Sequence, residues 1–392
     1  MSTALVPAQV GVARRWAMLA TSTVAQASSA VVIHGPAFLI PTLHTRLGFS
    51  LFEAGLVAAA PTVGVMLTQV LWGGVVDRRG ERYALTAGLV GSTLAAAVAV
   101  AVHHQVGLLA AALGVAGAFA ASTNVASGRV VVGWFPPERR GLAMGIRQMA
   151  QPIGVGIGAI GIAVLADSAG IGWSLVLPTV LLGLAAVAVL LVVLDPPRPD
   201  RTLVPAPNPY HKDGYLSRIH GVSVLLVVPQ FLVWTYALVW LVQDRGWSAG
   251  AAGTLVALAQ VAGAFGRIGV GHLSDVVGSR MRVLRWVTVA AAATMLLLGL
   301  TAGPGWSLAI GLMVVATVVT VADNGLAFTA VAERAGPFWS GRALGVQNTA
   351  QFLTASAVPP LAGLAITAWG YAPAFAVAAL FPLVALPLVP VR

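Results

Sequence analysis

The chain contains no cysteine, so disulfides, thiol nucleophiles and thiolate metal sites have no part in its chemistry. Charge is almost as scarce. Only 9% of the 392 residues are Asp, Glu, Lys or Arg, and Lys212 is the single lysine among them. A water-soluble surface needs far more charge than that. No polar stretch is long enough to hold a nucleotide-binding domain. No phosphate loop, metal-ligand cluster or nucleophile constellation is present. These absences point away from an enzyme, from an ATP-driven pump and from any cofactor or metal.

What remains is apolar. Hydrophobic residues make up 58% of the chain and the mean hydropathy is +0.90. The apolar runs are long and continuous, which predicts membrane-crossing helices rather than the short alternating segments of a barrel. The formal net charge of +10 would suit a nucleic-acid partner, but the arginines lie in short loops between apolar runs, where they set topology. No nucleic-acid partner is expected.

The expected fold class is an all-α membrane protein with twelve transmembrane helices in two pseudo-symmetric six-helix bundles. The spans read as 16–40, 51–73, 84–103, 107–133, 141–165, 173–194, 219–241, 249–273, 284–302, 306–332, 341–367 and 371–391, each near the roughly 20 residues needed to cross. Arg14-Arg15 followed by Ala25-Gln26-Ala27 looks like a signal peptide with its cleavage site. The apolar stretch continues to about Ile40, however, so a retained first span is expected. The polar, proline-rich stretch from Asp195 to Arg218 divides the chain into an N-terminal bundle (1–195), a cytoplasmic linker (196–218) and a C-terminal bundle (219–392).

Basic residues are lopsided. Arg78, Arg79, Arg82, Arg139, Arg140, Arg198, Arg201, Lys212, Arg218, Arg280, Arg282, Arg285, Arg334 and Arg342 fall on one side, with both termini, whereas the opposite loops hold Arg46 and Arg245. The arginine-rich side is expected to be cytoplasmic, with both termini inside a bacterial inner membrane.

The two halves repeat. Gly73-Gly-Val-Val-Asp77-Arg78-Arg-Gly80-Glu-Arg82 recurs as Gly271-His-Leu-Ser-Asp275-Val-Val-Gly278-Ser-Arg280, displaced by 198 residues (73 to 271) and again set between two apolar runs. Gly48-Phe49-Ser50 matches Gly246-Trp247-Ser248 at the same displacement, and Gly141 to Gln151 matches Gly341 to Gln351. Such repeats mark secondary transporters, whose substrate site lies between the halves near the bilayer midplane.

A charged, glycine-bearing turn between two spans, once per half, resembles motif A of the major facilitator superfamily. That resemblance implies control of alternating access. Gly73, Asp77, Arg78, Gly80 and Arg82, with Gly271, Asp275, Gly278 and Arg280, would gate the cytoplasmic side. Asp77 would lie against the positive N-terminus of the helix near Gly341, and Arg78 and Arg82 would pair with Glu138. The segment from Gly133 to Gly145 is similar to the loop between spans 4 and 5 of the oxalate and monocarboxylate porters, and to that of nitrate-type porters. In the monocarboxylate group an arginine of span 8 contacts the substrate carboxylate, a role that would fall to Arg267. Gly263 stands where the proton-coupled members have an aspartate, and span 11 has amides where oxalate exchangers have a basic residue. The proton role would then fall to Asp323.

Ionisable groups within hydrocarbon are costly and hence functional candidates. Arg267 offers a planar fork to a carboxylate; the alternative is snorkelling or structural pairing. Its repeat-mate is Gln69. Asp323 in span 10 reads as a proton carrier or as a member of a permanent pair, beside Asn324 and its repeat-mate Asn124. Arg129 and Arg147 read as snorkelling to the cytoplasmic surface. Gln151 and Gln351 are polar partners on spans 5 and 11. His34 precedes Gly35-Pro36, where the helix weakens; hydrogen-bonded packing is the favoured reading, a proton relay the other. Trp234 and Tyr236 would border the cavity, and Trp240 would anchor at the membrane interface. Gln151-Pro152 stands where drug:proton antiporters carry a Gly-Pro pair.

The reading that results is a secondary active transporter of a small organic solute, a monocarboxylate-like anion, working by proton symport or exchange. The expected partners are that solute, protons and the lipid bilayer, and the expected state is a monomer. The alternatives are a proton-coupled drug or metabolite efflux antiporter and a non-transporting membrane sensor. Substrate identity and direction of transport are not read from the residues.

Overall fold

A computed structural model describes residues 10–49, 51–197 and 207–390. Twelve helices long and apolar enough to cross a bilayer run through the described residues, and no strand occurs among them. They are α1 (Val12–Leu39), α2 (Glu53–Arg79), α3 (Glu81–Ala101), α4 (Val106–Trp134), α5 (Pro137–Ser168), α6 (Ile171–Val192), α7 (Tyr215–Gln243), α8 (Ala251–Val277), α9 (Arg280–Ala302), α10 (Leu308–Ala335), α11 (Ser340–Trp369) and α12 (Tyr371–Leu388). At 1.5 Å rise, a helix of 29 residues such as α4 outreaches a hydrocarbon core of about 30 Å. The helices therefore end later than the apolar runs do. Leu67, Ile160 and Leu191 are each more than 70% exposed, and apolar surface on that scale requires lipid. Arg198, Arg201 and the rest of linker residues 198–206 lie outside the described residues.

The residues divide into two compact units. The first comprises Met1–Phe135, Met149–Pro207 and Ala335–Thr349; the second comprises Pro136–Gln148, Asn208–Arg334 and Ala350–Arg392. Each therefore takes in a short segment from beyond the linker.

In the first unit α2 and α4 touch backbone to backbone. A Cβ on Gly117 would collide with the main chain at Pro61, and one on Gly64 with Gly114. Small residues at such a crossing let helices pack without a hydrophobic drive between them. Thr68 Oγ1 and Trp72 Nε1 both donate to the Ala118 carbonyl, at 2.7 and 2.8 Å. In the second unit the core is aromatic and aliphatic, with Trp240, Phe375, Met295, Leu298 and Met313 packed together. Trp240 is fully buried, meets Phe375 edge-on at 5.7 Å, and lies under the Arg245 guanidinium at 4.8 Å. It is a core residue, not the interface anchor expected from the sequence: proximity to a span end does not fix which way a ring faces.

Four spans are interrupted, α12 at Ala379 among them. α1 tightens into a 3₁₀ turn over Gly35–Leu39, where Pro36 removes a donor. α5 breaks between Arg147 and Ala150, and α10 between Val319 and Asp323. The repeat-mates of these last two, α11 and α4, run unbroken through the corresponding positions. The interruptions of α5 and α10 are thus departures from the internal symmetry, and neither contains a proline or glycine.

Candidate functional site

Both copies of the repeated turn do the same physical work. The N-terminus of a helix presents amide groups with no intrahelical partner and a partial positive charge. In the first unit Asp77, fully buried at its side chain, accepts from the N–H groups of Gly341 (2.8 Å) and Arg342 (3.0 Å) at the start of α11, and from Arg342 Nε (3.1 Å). In the second unit Asp275 accepts from the N–H groups of Gly141 (3.0 Å) and Leu142 (2.9 Å) at the start of α5. Each contact is a clasp of a carboxylate on a helix end. Asp77 occupies the place the sequence reading gives it.

Glycine is required at both clasps. A Cβ on Gly341 would lie 2.5 Å from the Gly73 carbonyl oxygen and 2.6 Å from Asp77 Oδ1, and one on Gly141 would strike the Gly271 carbonyl. Gly341→Val and Gly141→Val are each expected to lose about 1–3 kcal/mol of stability by overpacking. Gly74→Ala, with nothing within 4 Å of its new methyl group, should be neutral or slightly stabilising. Thermal unfolding of the purified variants checks the contrast, and equal shifts for Gly74→Ala and Gly341→Val would refute it.

The surrounding arginines differ between copies. Arg280 reaches back to Asp275 and to Ser274 Oγ (2.7 Å). Its counterpart Arg82 donates instead through its backbone N–H to Asp195 (2.8 Å) and through its guanidinium to the Leu190 carbonyl (2.6 Å). Those partners replace the Glu138 expected for it; Arg78 and Glu138 are themselves exposed. In the second unit Arg140 (3.3 Å) and Arg280 (3.6 Å) also share Glu333. Gly278 ends the α8 helix in the left-handed conformation, φ +67°.

Arg129 and Arg147 do not snorkel. Arg129 is buried, pairs with buried Glu81 at 3.0 Å, and donates to Ser340 Oγ. Arg147 is buried, donates to Gln148 Oε1, and lies over the Phe328 ring at 5.5 Å. Distance along the chain from a loop does not say whether a side chain faces lipid or protein. The helix break after Arg147 also separates it from Gln151, four residues on, which contacts His34 Nε2 at 3.3 Å.

The second unit holds a buried polar cluster around Arg267. Arg267 is buried on α8. Its Nη1 donates to the main-chain carbonyl of Gln148 at 2.8 Å, and Pro152, four residues on, has no N–H to offer that carbonyl. Its Nε has no hydrogen-bond partner among the described residues. The opposing charge that acts on it is Asp323, buried on α10, without a direct ion pair between them. No side chain bonds either carboxylate oxygen of Asp323 among the described residues; the amides at the start of its helical segment face it. Next along, Asn324 Nδ2 donates to Gln230 Oε1 (3.2 Å), and Asn324 Oδ1 accepts from Gln351 Nε2 (3.1 Å). Tyr236 donates to the Pro359 carbonyl at 2.7 Å, and Trp234 packs on Phe231. The two helix interruptions adjoin: a Cβ on Gly325 would come within 3.8 Å of the Gly145 amide.

The first unit repeats part of this. Gln26 donates to Asn124 at 3.3 Å and accepts from Ser127 at 3.0 Å, paralleling Gln230 and Asn324. Gln69, the repeat-mate of Arg267, is fully buried, and neither of its side-chain polar atoms has a partner among the described residues. Gln230 stands among the polar residues of span 7 in the sequence, whereas Gln26, Glu81 and Glu333 were not singled out there. The signal available for Gln26 was a polar residue within an apolar span.

Comparison with known proteins agrees with this architecture. The Major Facilitator Superfamily profile matches residues 19–359. An uncharacterized MFS-type transporter of Mycobacterium tuberculosis is 47% identical over 385 residues, covering 97% of this chain and 86% of that protein. The glycerol-3-phosphate transporter of Bacillus subtilis is 31% identical over 171 residues, covering 41% of this chain and 37% of that protein. Among solved structures, the MFS transporter FucP in the outward conformation superposes with a TM-score of 0.76 at 16% identity, over 95% of this chain and 97% of that one. The human organic anion transporter MFSD10 gives 0.71 at 16% identity, over 96% and 99%. A profile matched from α1 into α11, a relative matched end to end and a shared twelve-helix fold show that this chain belongs to the Major Facilitator Superfamily, as a multi-pass membrane transporter of that class.

Proposed function

We propose that this transporter carries a small organic anion, monocarboxylate-like, by alternating access with proton symport or exchange. Arg267 is its carboxylate anchor and Asp323 its proton carrier. The observation that carries the reading is the state of Arg267: a buried guanidinium with a spare donor, bonded to a single main-chain carbonyl, beside two interrupted helices. A buried cation without a direct counter-ion is costly, and interrupted membrane helices are where transporters expose backbone groups to ligand. An anion reaching Arg267 would supply the missing partner through a bidentate contact. Asp323, neutral when protonated and anionic when not, would then set whether Arg267 is available.

Asn324, Gln351, Tyr236 and Trp234 would line the solute in the second unit, and Gln69, His34, Gln151 and Asn124 would be the polar contributions of the first. The clasps at Asp77 and Asp275 would gate the arginine-rich side, taken as cytoplasmic. The Bacillus subtilis relative is by name a transporter of glycerol-3-phosphate, itself an organic anion. A monomer in a bacterial inner membrane with both termini inside completes the reading.

The test is ligand-induced thermal stabilisation of the purified chain with a panel of small carboxylates and of hydrophobic cations. A ligand at about 100 times its dissociation constant should stabilise by about 2.7 kcal/mol. The expected result is stabilisation by a carboxylate in wild type and none in Arg267→Gln. Stabilisation by cations alone, or a carboxylate effect untouched by the substitution, would discard the anion reading in favour of an exporter.

A further inference from the structure

Three side-chain amides form a chain within the second unit. Gln351 Nε2 donates to Asn324 Oδ1 at 3.1 Å, and Asn324 Nδ2 donates to Gln230 Oε1 at 3.2 Å. Asn324 Nδ2 also donates to the Val321 carbonyl at 3.4 Å, within the interruption of α10. These contacts fix which way the Asn324 amide faces. A primary amide carries donors on one side and an acceptor on the other, so Gln230 meets Asn324 Nδ2 with its oxygen. Its own NH2 group is thereby turned away from the chain. Gln230 is only 5% exposed, and its Nε2 has no hydrogen-bond partner among the described residues. That atom stays accessible, unlike the sealed polar atoms of Gln69. Donors of buried side chains are normally paired.

In the first unit the same group is closed. Gln26 donates to Asn124 Oδ1 at 3.3 Å and accepts from Ser127 Oγ at 3.0 Å, which uses both ends of its amide. Ser127 stands three residues after Asn124, on the same helix face. The residue three after Asn324 is Ala327, which has no hydroxyl to offer. With Asn324 Oδ1 already taken by Gln351, the amide of Gln230 cannot close as that of Gln26 does.

We propose that Gln230 is the residue with which this transporter reads a hydroxyl group on its solute, and that the solute is a hydroxylated carboxylate. Arg267 takes the carboxylate and Gln230 Nε2 donates to the hydroxyl oxygen. Asn324 adjoins Asp323, on which the charge of Arg267 acts, so the amides and the guanidinium belong to one cluster. The far end of the chain leaves an acceptor, Gln351 Oε1, without a partner among the described residues. An open donor together with an open acceptor suits a hydroxyl, which gives and takes, better than a keto oxygen, which only takes. Asn324 and Gln351 are positioning residues: they hold the Gln230 amide with its donor outward. The inference rests on the reading of Arg267 as carboxylate anchor.

Titrated thermal stabilisation of the purified full-length chain tests it, with propanoate, butanoate, their 2- and 3-hydroxy derivatives, 2-oxopropanoate and the neutral propane-1,2-diol. In wild type a hydroxy acid should bind about tenfold more tightly than its parent acid and than the oxo acid, the worth of one neutral hydrogen bond. In Gln230→Met that ratio should fall to about one. Gln351→Met should lower it as well, because Asn324 Oδ1, once released, lets Gln230 turn and donate to it as Gln26 does to Asn124. This second variant guards against a Gln230→Met that fails to fold. Hydroxy and parent acids that bind alike in wild type, and are both lost in Arg267→Gln, would overturn the hydroxyl and leave the anion reading standing. An oxo acid bound as tightly as the hydroxy acid would overturn it too, as would a preference that survives Gln230→Met. Stabilisation by the diol alone, lost in Gln230→Met, would overturn the carboxylate anchor and keep Gln230 as the reader of a hydroxyl. A wild type that answers to none of these probes would overturn both.

Discussion

Arg129→Leu is expected to cost about 3–5 kcal/mol of stability, because it strands a buried carboxylate. The side chains of Glu81 and Arg129 are 0% and 5% exposed, and Arg129 Nε lies 3.0 Å from Glu81 Oε1. Their attraction offsets the desolvation of both only while both are present. The double substitution Glu81→Leu with Arg129→Leu should recover most of the loss, since an apolar pair of similar size restores the balance. Acid should narrow the gap for Arg129→Leu, because protonation of Glu81 removes the stranded charge. Thermal unfolding in detergent at two pH values, read as a double-mutant cycle, measures all three effects. A loss below about 1 kcal/mol, the range of surface pairs, would mean that water reaches this site.

The second large effect concerns Asp323. In vesicles loaded with the carboxylate that stabilises wild type, Asp323→Asn should abolish uptake driven by a pH gradient, a loss of at least about tenfold. Asparagine preserves shape but carries no proton. Exchange of labelled for unlabelled solute, which moves no net proton, should continue near the wild-type rate, because Arg267 and the amides of Asn324 and Gln351 are intact. Loss of both activities would assign Asp323 to solute binding or to folding; retention of both would remove it from the mechanism. Arg267→Gln should lose both, and that difference separates anchor from carrier.

Much of the architecture was legible in the chain because the forces behind it are one-dimensional. Twelve apolar runs can only be twelve helices where water is absent. The placement of Asp77 was legible too, through the resemblance of its turn to motif A, which implies a helix N-terminus as its partner. What was not legible depends on which way a side chain faces. Arg129 and Arg147 stand near span ends, as snorkelling residues do, yet both point into protein. Arg82 and Asp195 are far apart in sequence, and only the fold lays one against the other. Pro152 announces the interruption of α5, because it has no N–H for the Gln148 carbonyl four residues before it, whereas the interruption of α10 at Val321 carries no proline or glycine to announce it. The two interruptions give Arg267 its carbonyl and Asp323 its place at a helix start.

The composition of the two compact units has a consequence for dissecting the molecule. Each is completed by a piece encoded on the far side of the linker: the first by residues 335–349, the second by residues 136–148. The arrangement is a reciprocal exchange within a single chain, comparable to domain swapping between protomers. A polypeptide ending at the linker would leave Asp77 without the amides of Gly341 and Arg342, and one beginning there would leave Asp275 without those of Gly141 and Leu142. The halves of this transporter are repeats in sequence, and separately produced halves should gain order when mixed, because each holds the amides on which the other's clasp carboxylate closes.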